Sequence, residues 1–190
     1  MDYMDQIEKL YKYFEFNLEI NLMHSLINMK HSFNNDFNLI GCFLKDYLIV
    51  KTGRKMPNDE YLYDEFVLYF EEQSKALLSE FLVNDLVKYS KYYLSIVFED
   101  FTDENITMTV STINSCFALE YYPVVMKILN KYYSGGFTSQ NFKIILESIV
   151  DVVIKNFESM DILEIKPNEL EEQIKIAALK KSYSVERSLV

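Results

Sequence analysis

Glycine and proline are scarce in this chain of 190 residues, with four of the first and three of the second. Tight hairpins draw on both for their turns, so little room is left for β-structure. Cysteine occurs only as Cys42 and Cys116. There is no CxxC pair and no disulfide framework, which points to a reducing, cytoplasmic compartment. Each thiol stands in an apolar helical context, the usual setting of a buried free cysteine. Histidine occurs only as His24 and His31. Seven residues of helix separate two side chains by about 10 Å, too far to share one metal, which favours i and i+4. Tryptophan is absent, and arginine occurs only as Arg54 and Arg187.

Further absences narrow the function. The glycines form neither GxGxxG nor GxxxxGK[ST], so no phosphate-cradling loop and no cofactor is implied. No run of 18 uncharged apolar residues exists, so no membrane-spanning helix is expected. The opening MDYMDQIEKLYKYFEF is acidic and amphipathic, unlike the basic and apolar regions of a signal peptide. The formal net charge is −10. Duplex binding needs clustered cations to replace counterions, so nucleic-acid binding by the chain alone is expected to be weak.

What is present suits an ordinary globular domain. The residues are 49% hydrophobic and 25% charged, with 15 Tyr and 14 Phe, and the length can bury a core without staples. Apolar residues recur at helical spacing along most of the chain. Residues 3–16 carry Ile7, Leu10, Tyr11 and Phe14, and residues 18–31 carry Leu18, Leu22, Leu26 and Met29. Asp36 or Asn35 can cap a helix from Phe37 to Lys51, which Thr52-Gly53 ends. Pro57, Asn58 and Asp59 open another through Glu72, and a longer one runs from Ser74 to Phe98. A helix over Asp103–Phe117 is expected despite its β-branched Thr107, Thr109, Val110 and Thr112.

The longest well-punctuated stretch is Gly135 to Ser159. Tyr122-Pro123 places a proline in the first turn of the helix before it, where its missing N–H costs nothing. Gly135 and Gly136 can end that helix with positive φ. Thr138 can cap the next, with Phe137 and Phe142 at the positions of a hydrophobic staple. Phe142, Ile145, Leu146, Ile149, Val152, Val153 and Phe157 form its stripe, and Ile144, Val150 and Ile154 add apolar surface elsewhere. That circumference predicts a helix central in a bundle, with a partner groove as the functional alternative. Lys166-Pro167-Asn168 breaks the chain, and Asn168 with Glu171 has capping-box spacing before a last helix over 167–181. These elements predict an all-α, single-domain bundle of seven to nine helices over residues 1–181, with 182–190 as a frayed tail.

No catalytic constellation emerges. Glu71-Glu72, Glu99-Asp100 and Asp103-Glu104 are adjacent carboxylates, and neighbours on a helix do not face one another. Lys51, Arg54 and Lys55 flank Gly53 just past a helix end. The helix dipole favours cations there, and the three are also the best candidate phosphate contacts. Lys175, Lys180, Lys181 and Arg187 make the C-terminal end basic after Glu169, Glu171 and Glu172.

Two parts of the chain resemble a known family. NLIGCFLKDYLIVKTGRKMPNDEYLYDEFVLYFEE, residues 38–72, resembles the FLRDYL…KTG…YEEFKKYF stretch of GmrSD-type restriction proteins. FLVNDLVKYSKYYLSIVF and SCFALEYYPVVMKILNKYYSGGFTSQNFKIILESIVDVVIKNFE resemble the later part of the same helical region. There a helix opening on Tyr-Pro, here Tyr122-Pro123, precedes a short loop and a long helix, here Phe142 to Phe157. Such proteins defend bacteria against phage, many by cleaving modified DNA. They join a nucleotide-hydrolysing domain with a DGQQR motif, a helical middle and often an HNH nuclease. This chain has no DGQQR, no histidine-based nuclease motif and no paired arginines after Asn156. The resemblance therefore implies the helical middle alone, acting without catalysis and docking a nuclease or NTPase subunit, another protein partner or DNA. A homodimer stays open. A second expectation, from another class, is a viral Bcl-like interaction protein holding an amphipathic helix of a host protein in a groove.

Overall fold

The computed structural model describes residues 2–54, 59–75, 77–116, 118–159 and 172–178. All regular structure among them is helical. The helices are α1 (Tyr3–Asn17), α2 (Ile20–Ser32), α3 (Phe37–Thr52), α4 (Leu62–Ser74), α5 (Ser79–Phe98), α6 (Glu104–Ser115), α7 (Tyr122–Tyr133) and α8 (Ser139–Ser159), with α9 over 172–178. Short 3-10 turns at Asp59–Tyr61 and Leu119–Tyr121 lead into α4 and α7. The all-α expectation therefore holds among the described residues, and none of their helices is long and apolar enough to cross a membrane. Contacts gather into two compact units, Met1–Leu94 and Ser95–Val190, with the division inside α5.

In the first unit, α1 starts at Asp2, whose carboxylate accepts the Asp5 N–H at 3.0 Å. It buries Ile7, Leu10 and Phe14 and packs against α2, α3 and α4. Leu18 ends α1, donating its N–H to the Phe14 carbonyl at 2.9 Å, so α2 starts at Ile20. Asn34 and Asn35 take left-handed φ of 52° and 58°, a conformation asparagine tolerates well. Asp36 Oδ1 then accepts the Asn38 and Leu39 N–H groups at 2.9 and 3.1 Å and opens α3. Ile40, Phe43, Leu44, Tyr47 and Leu48 of α3 are buried, and Gly53, in the left-handed region, closes it. Gly41 sits where the Tyr3 ring of α1 occupies the space a Cβ would need.

Aromatic rings fill this unit. Phe14 lies edge-on to Phe66 and Phe70 at centroid distances of 6.1 and 5.3 Å. Phe43 meets Phe33 at 5.4 Å and Tyr93 at 5.6 Å. Such pairs contribute about 0.5–1.5 kcal/mol each beyond the area they bury. α4 has no side-chain cap of its own. Gln6 of α1 is buried, and its Oε1 accepts the Tyr63 N–H at 3.0 Å, serving the first turn of α4 instead.

Two expectations are corrected here. The long helix expected from Ser74 starts at Ser79, because the chain turns after α4 with the Leu77 N–H on the Gln73 carbonyl at 2.8 Å. Leu77 and Leu78 are exposed, so the apolar run there serves a turn. Cys42 is exposed and Cys116 half-buried; neither is the buried thiol its sequence context suggests. Cys42 lies off the side of α3 that buries Ile40, Phe43, Leu44 and Tyr47.

In the second unit, α6 packs against α8. Asp103 caps α6, its Oδ1 accepting the Asn105 N–H at 2.8 Å. The threonines that weaken the helical reading of α6 donate back along it. Thr107, Thr109 and Thr112 hydroxyls reach the carbonyls of Asp103, Asn105 and Met108 at 3.2, 2.9 and 2.8 Å, which satisfies them within the helix. Asn114 ties three elements. Its Nδ2 donates to the Ile96 carbonyl at 3.2 Å and Glu99 Oε1 at 3.0 Å, and its Oδ1 accepts from Tyr122 at 2.7 Å. Glu99 holds a left-handed φ of 54° to reach it.

α8 buries Phe142, Leu146, Ser148, Ile149, Val152 and Val153, but Ile144 and Ile145 are half-buried and Ile154 is exposed. It is amphipathic, and the expectation of a helix buried nearly all round is corrected. Of the last helix expected over 167–181, residues 172–178 are helical. The Lys166–Asn168 break, the Asn168–Glu171 pair, the Phe157 side chain and the 182–190 tail lie outside the described residues.

Candidate functional site

A groove of about 520 Å³ opens in the second unit between α7, α8 and α9. Its first wall is one stripe of α7. Val124, Lys127, Ile128 and Lys131 line it, at i, i+3, i+4 and i+7, which a helix gathers on one side. Pro123 in the first turn starts α7, and Tyr122 anchors that turn through its bond to Asn114. The helix ends as the sequence indicates. The Gly136 N–H returns to the Lys131 carbonyl at 2.8 Å and the Gly135 N–H to Tyr132 at 2.9 Å, with Gly135 at φ 77°. These two bonds make a Schellman end, which needs a residue tolerant of positive φ.

The second wall is α8. Thr138 caps it, its hydroxyl accepting the Asn141 N–H at 3.2 Å, and Asn141, Ile144 and Ile145 line the groove. Phe142 turns the other way and stacks on Tyr132 of α7, centroids 3.7 Å apart. Phe137 lines the groove, with the Lys131 ammonium 4.7 Å over its ring. The third wall is α9, through Ile174, Lys175 and Ala178. Among the described residues the lining is thus mainly aliphatic, with three lysines, one asparagine and no carboxylate. In a chain with 29 acidic and 19 basic residues, that local reversal of charge is unusual. Lys175 meets Glu172 only at 3.8 Å with both side chains exposed, a pairing that contributes little.

Of the three candidate phosphate contacts, Lys51 and Arg54 lie among the described residues. Lys51 is ion-paired with Asp85 and lies 4.3 Å from the Tyr89 ring centroid. Arg54 is exposed, its backbone N–H on Thr52 Oγ1 at 3.2 Å, and Lys55 lies outside the described residues. The Asp85 carboxylate also accepts from Tyr47 at 2.9 Å and pairs with Lys88 at 3.1 Å. Burial alone would raise the Asp85 carboxyl, but the hydrogen bond and charge of Lys51, with Tyr47 and Lys88, hold it below its ordinary value. Burial, then the Asp85 charge, pushes the Tyr47 phenol well above its own. This cluster joins α3 to α5 and consumes the Lys51 charge internally.

Other polar groups stand apart. Asp46 on α3 is only half-buried by surface, yet desolvation pushes its carboxyl up to about 8 against the opposing pull of Lys45. One Glu120 oxygen is buried without a hydrogen-bond partner, and burial raises that carboxyl too. His24 and His31 are exposed on α2. Among the described residues no group of three His, Cys, Asp or Glu side chains could hold a metal ion.

The sequence offers a partner groove only as the alternative for the 135–159 stretch and does not single out the lining on α7 and α9. Its available signal was the Lys127–Lys131 pair four apart on α7, beside Val124 and Ile128, with surplus isoleucines on α8. The isoleucines look like core in a one-dimensional reading; only the position of α9 shows what they line. Comparison of the chain with protein-family models, with curated proteins and with solved structures finds no match to any of them.

Proposed function

We propose that this chain is a noncatalytic helical docking module of the cytoplasm that binds a partner polypeptide. The observation that carries the reading is the groove of the second unit. A concave aliphatic floor with a few convergent polar groups is the usual chemistry of a binding site, and its lysines set orientation. The resemblance of residues 38–72, 81–98 and 115–158 to the helical middle of GmrSD-type restriction proteins supplies the partner class. It is a nuclease or NTPase subunit, carrying the HNH or DGQQR motif this sequence lacks. DNA contact is secondary in this reading, because Lys51 is engaged with Asp85. The groove also suits the second reading, a virus-encoded protein that captures a helix of its host.

The test is co-expression of the chain with the DGQQR or HNH polypeptide encoded beside its gene. Co-elution as a defined complex is expected, with loss on Ile145→Glu in the groove wall. A chain that elutes alone at micromolar concentration overturns the restriction-subunit reading. A viral neighbourhood and a captured host helix would replace it with the second.

A further inference from the structure

We infer that the groove between α7, α8 and α9 takes an acidic amphipathic helix of its partner. The inference rests on the docking reading above and names the occupant. Its first support is shape. The lining stripe from Val124 to Lys131 on α7 runs two helical turns, about 10 Å. That matches the apolar face of a short helix with anchors at i, i+3 or i+4, and i+7. An extended strand would need a free sheet edge, and no strand exists among the described residues.

Its second support is charge. Lys127 and Lys131 stand one turn apart on α7 and Lys175 stands on α9, while among the described residues no Asp or Glu lines the groove. A chain of net charge −10 repels an acidic partner elsewhere on its surface, so this lining favours one orientation and one site. Lysine also suits the edge of an apolar groove because its methylene stem covers aliphatic surface while the ammonium stays in water. Lys131 adds a cation–π contact, its ammonium 4.7 Å over the Phe137 ring at the groove edge. A basic helix would place cation against cation and lose the same contacts.

The chain has no tryptophan, so one Trp in a peptide reports binding without background. Two helical peptides of about 14 residues are titrated into the full chain. They share Leu, Leu and Trp at i, i+4 and i+7, and carry either Glu or Lys on the flanking positions. The acidic peptide is expected to bind with a blue-shifted emission, and the basic one at least about tenfold more weakly. The Lys127→Glu/Lys131→Glu protein, both positions exposed, should reverse that preference while circular dichroism stays unchanged. Equal binding of both peptides, failure of the acidic one to bind, or an unreversed preference overturns the inference. Ile145→Glu separates this from the broader reading. If it abolishes co-elution with the partner while the acidic peptide fails, the groove still docks and the acidic helix is wrong. If co-elution survives Ile145→Glu, docking through this groove is wrong as well.

Discussion

Asp46 and Asp85 carry opposite consequences of burial. Asp85 gains Lys51, Lys88 and Tyr47 as partners, so its folded-state carboxyl ionises more easily than in the unfolded chain. The stability it contributes is present above the ordinary aspartate value, near 4, and is lost as pH falls through its lower folded value. Asp46 titrates near 8 in the fold. Between roughly pH 4 and pH 8 the folded chain holds a proton there that the unfolded chain has released. Stability is therefore expected to fall as pH rises across that window. The Asp46→Asn variant should lose this slope and gain on the native protein in urea melts at pH 8.5 relative to pH 5. Equal differences at the two pH values would remove Asp46 as the source. Neither carboxylate was singled out by its surroundings in the sequence. Lys88 is a neighbour of Asp85 along α5, but Lys51 and Tyr47 come from α3, and for Asp46 the decisive influence is the packing that excludes water.

At the scale of elements, boundaries were legible wherever capping is local. Asp36, Thr138, Gly53 and Gly135 sit within a few residues of the groups they satisfy and perform the expected roles, while Gly136 completes the turn after α7 without the positive φ expected of it. Thr138→Ala is expected to cost about 1 kcal/mol, the usual worth of such a cap. Gly135→Ala should cost about 1–2 kcal/mol, because alanine strains at positive φ. Both effects are measured as shifts in chemical denaturation. An unchanged midpoint for Gly135→Ala would mean that the Schellman end is not what stops α7. Remote capping was not legible. The first turn of α4 is served by Gln6, 57 residues earlier, and no spacing rule reaches that far. The break between α4 and α5, expected between Glu72 and Ser74, falls after Ser74 instead, since composition continues the helix there while the chain turns.

For the molecule as a whole, net charge dominates association with polyanions. At −10, the chain should bind duplex DNA weakly and, with few cations to release counterions, with a shallow salt dependence. Arg54 is the exposed described residue of the three candidate contacts. Neutralising Lys51, Arg54 and Lys55 together should lower whatever DNA affinity exists and flatten its dependence on salt. Binding unchanged by the triple variant would end their role as phosphate contacts. Because Lys51 also holds Asp85, a Lys51→Met variant should lower stability even where DNA binding is untouched. Lys88 and Tyr47 still hold the half-buried carboxylate, so the loss should fall between that of a surface pair and that of a buried one.

The sequence alone determined the all-α class, the turns between most helices and the amphipathic stripes. These depend on backbone geometry and on residues within a turn or two of each other. Tertiary structure alone decided which apolar residues are core and which line the groove. Ile144 and Ile145 belong to the same helical run as Leu146 and Ile149. Their exposure depends on where α7 and α9 lie, and those positions follow from packing across long separations in the chain. The same holds for Lys51, a free cation by its place past a helix end and a paired one by the approach of α5.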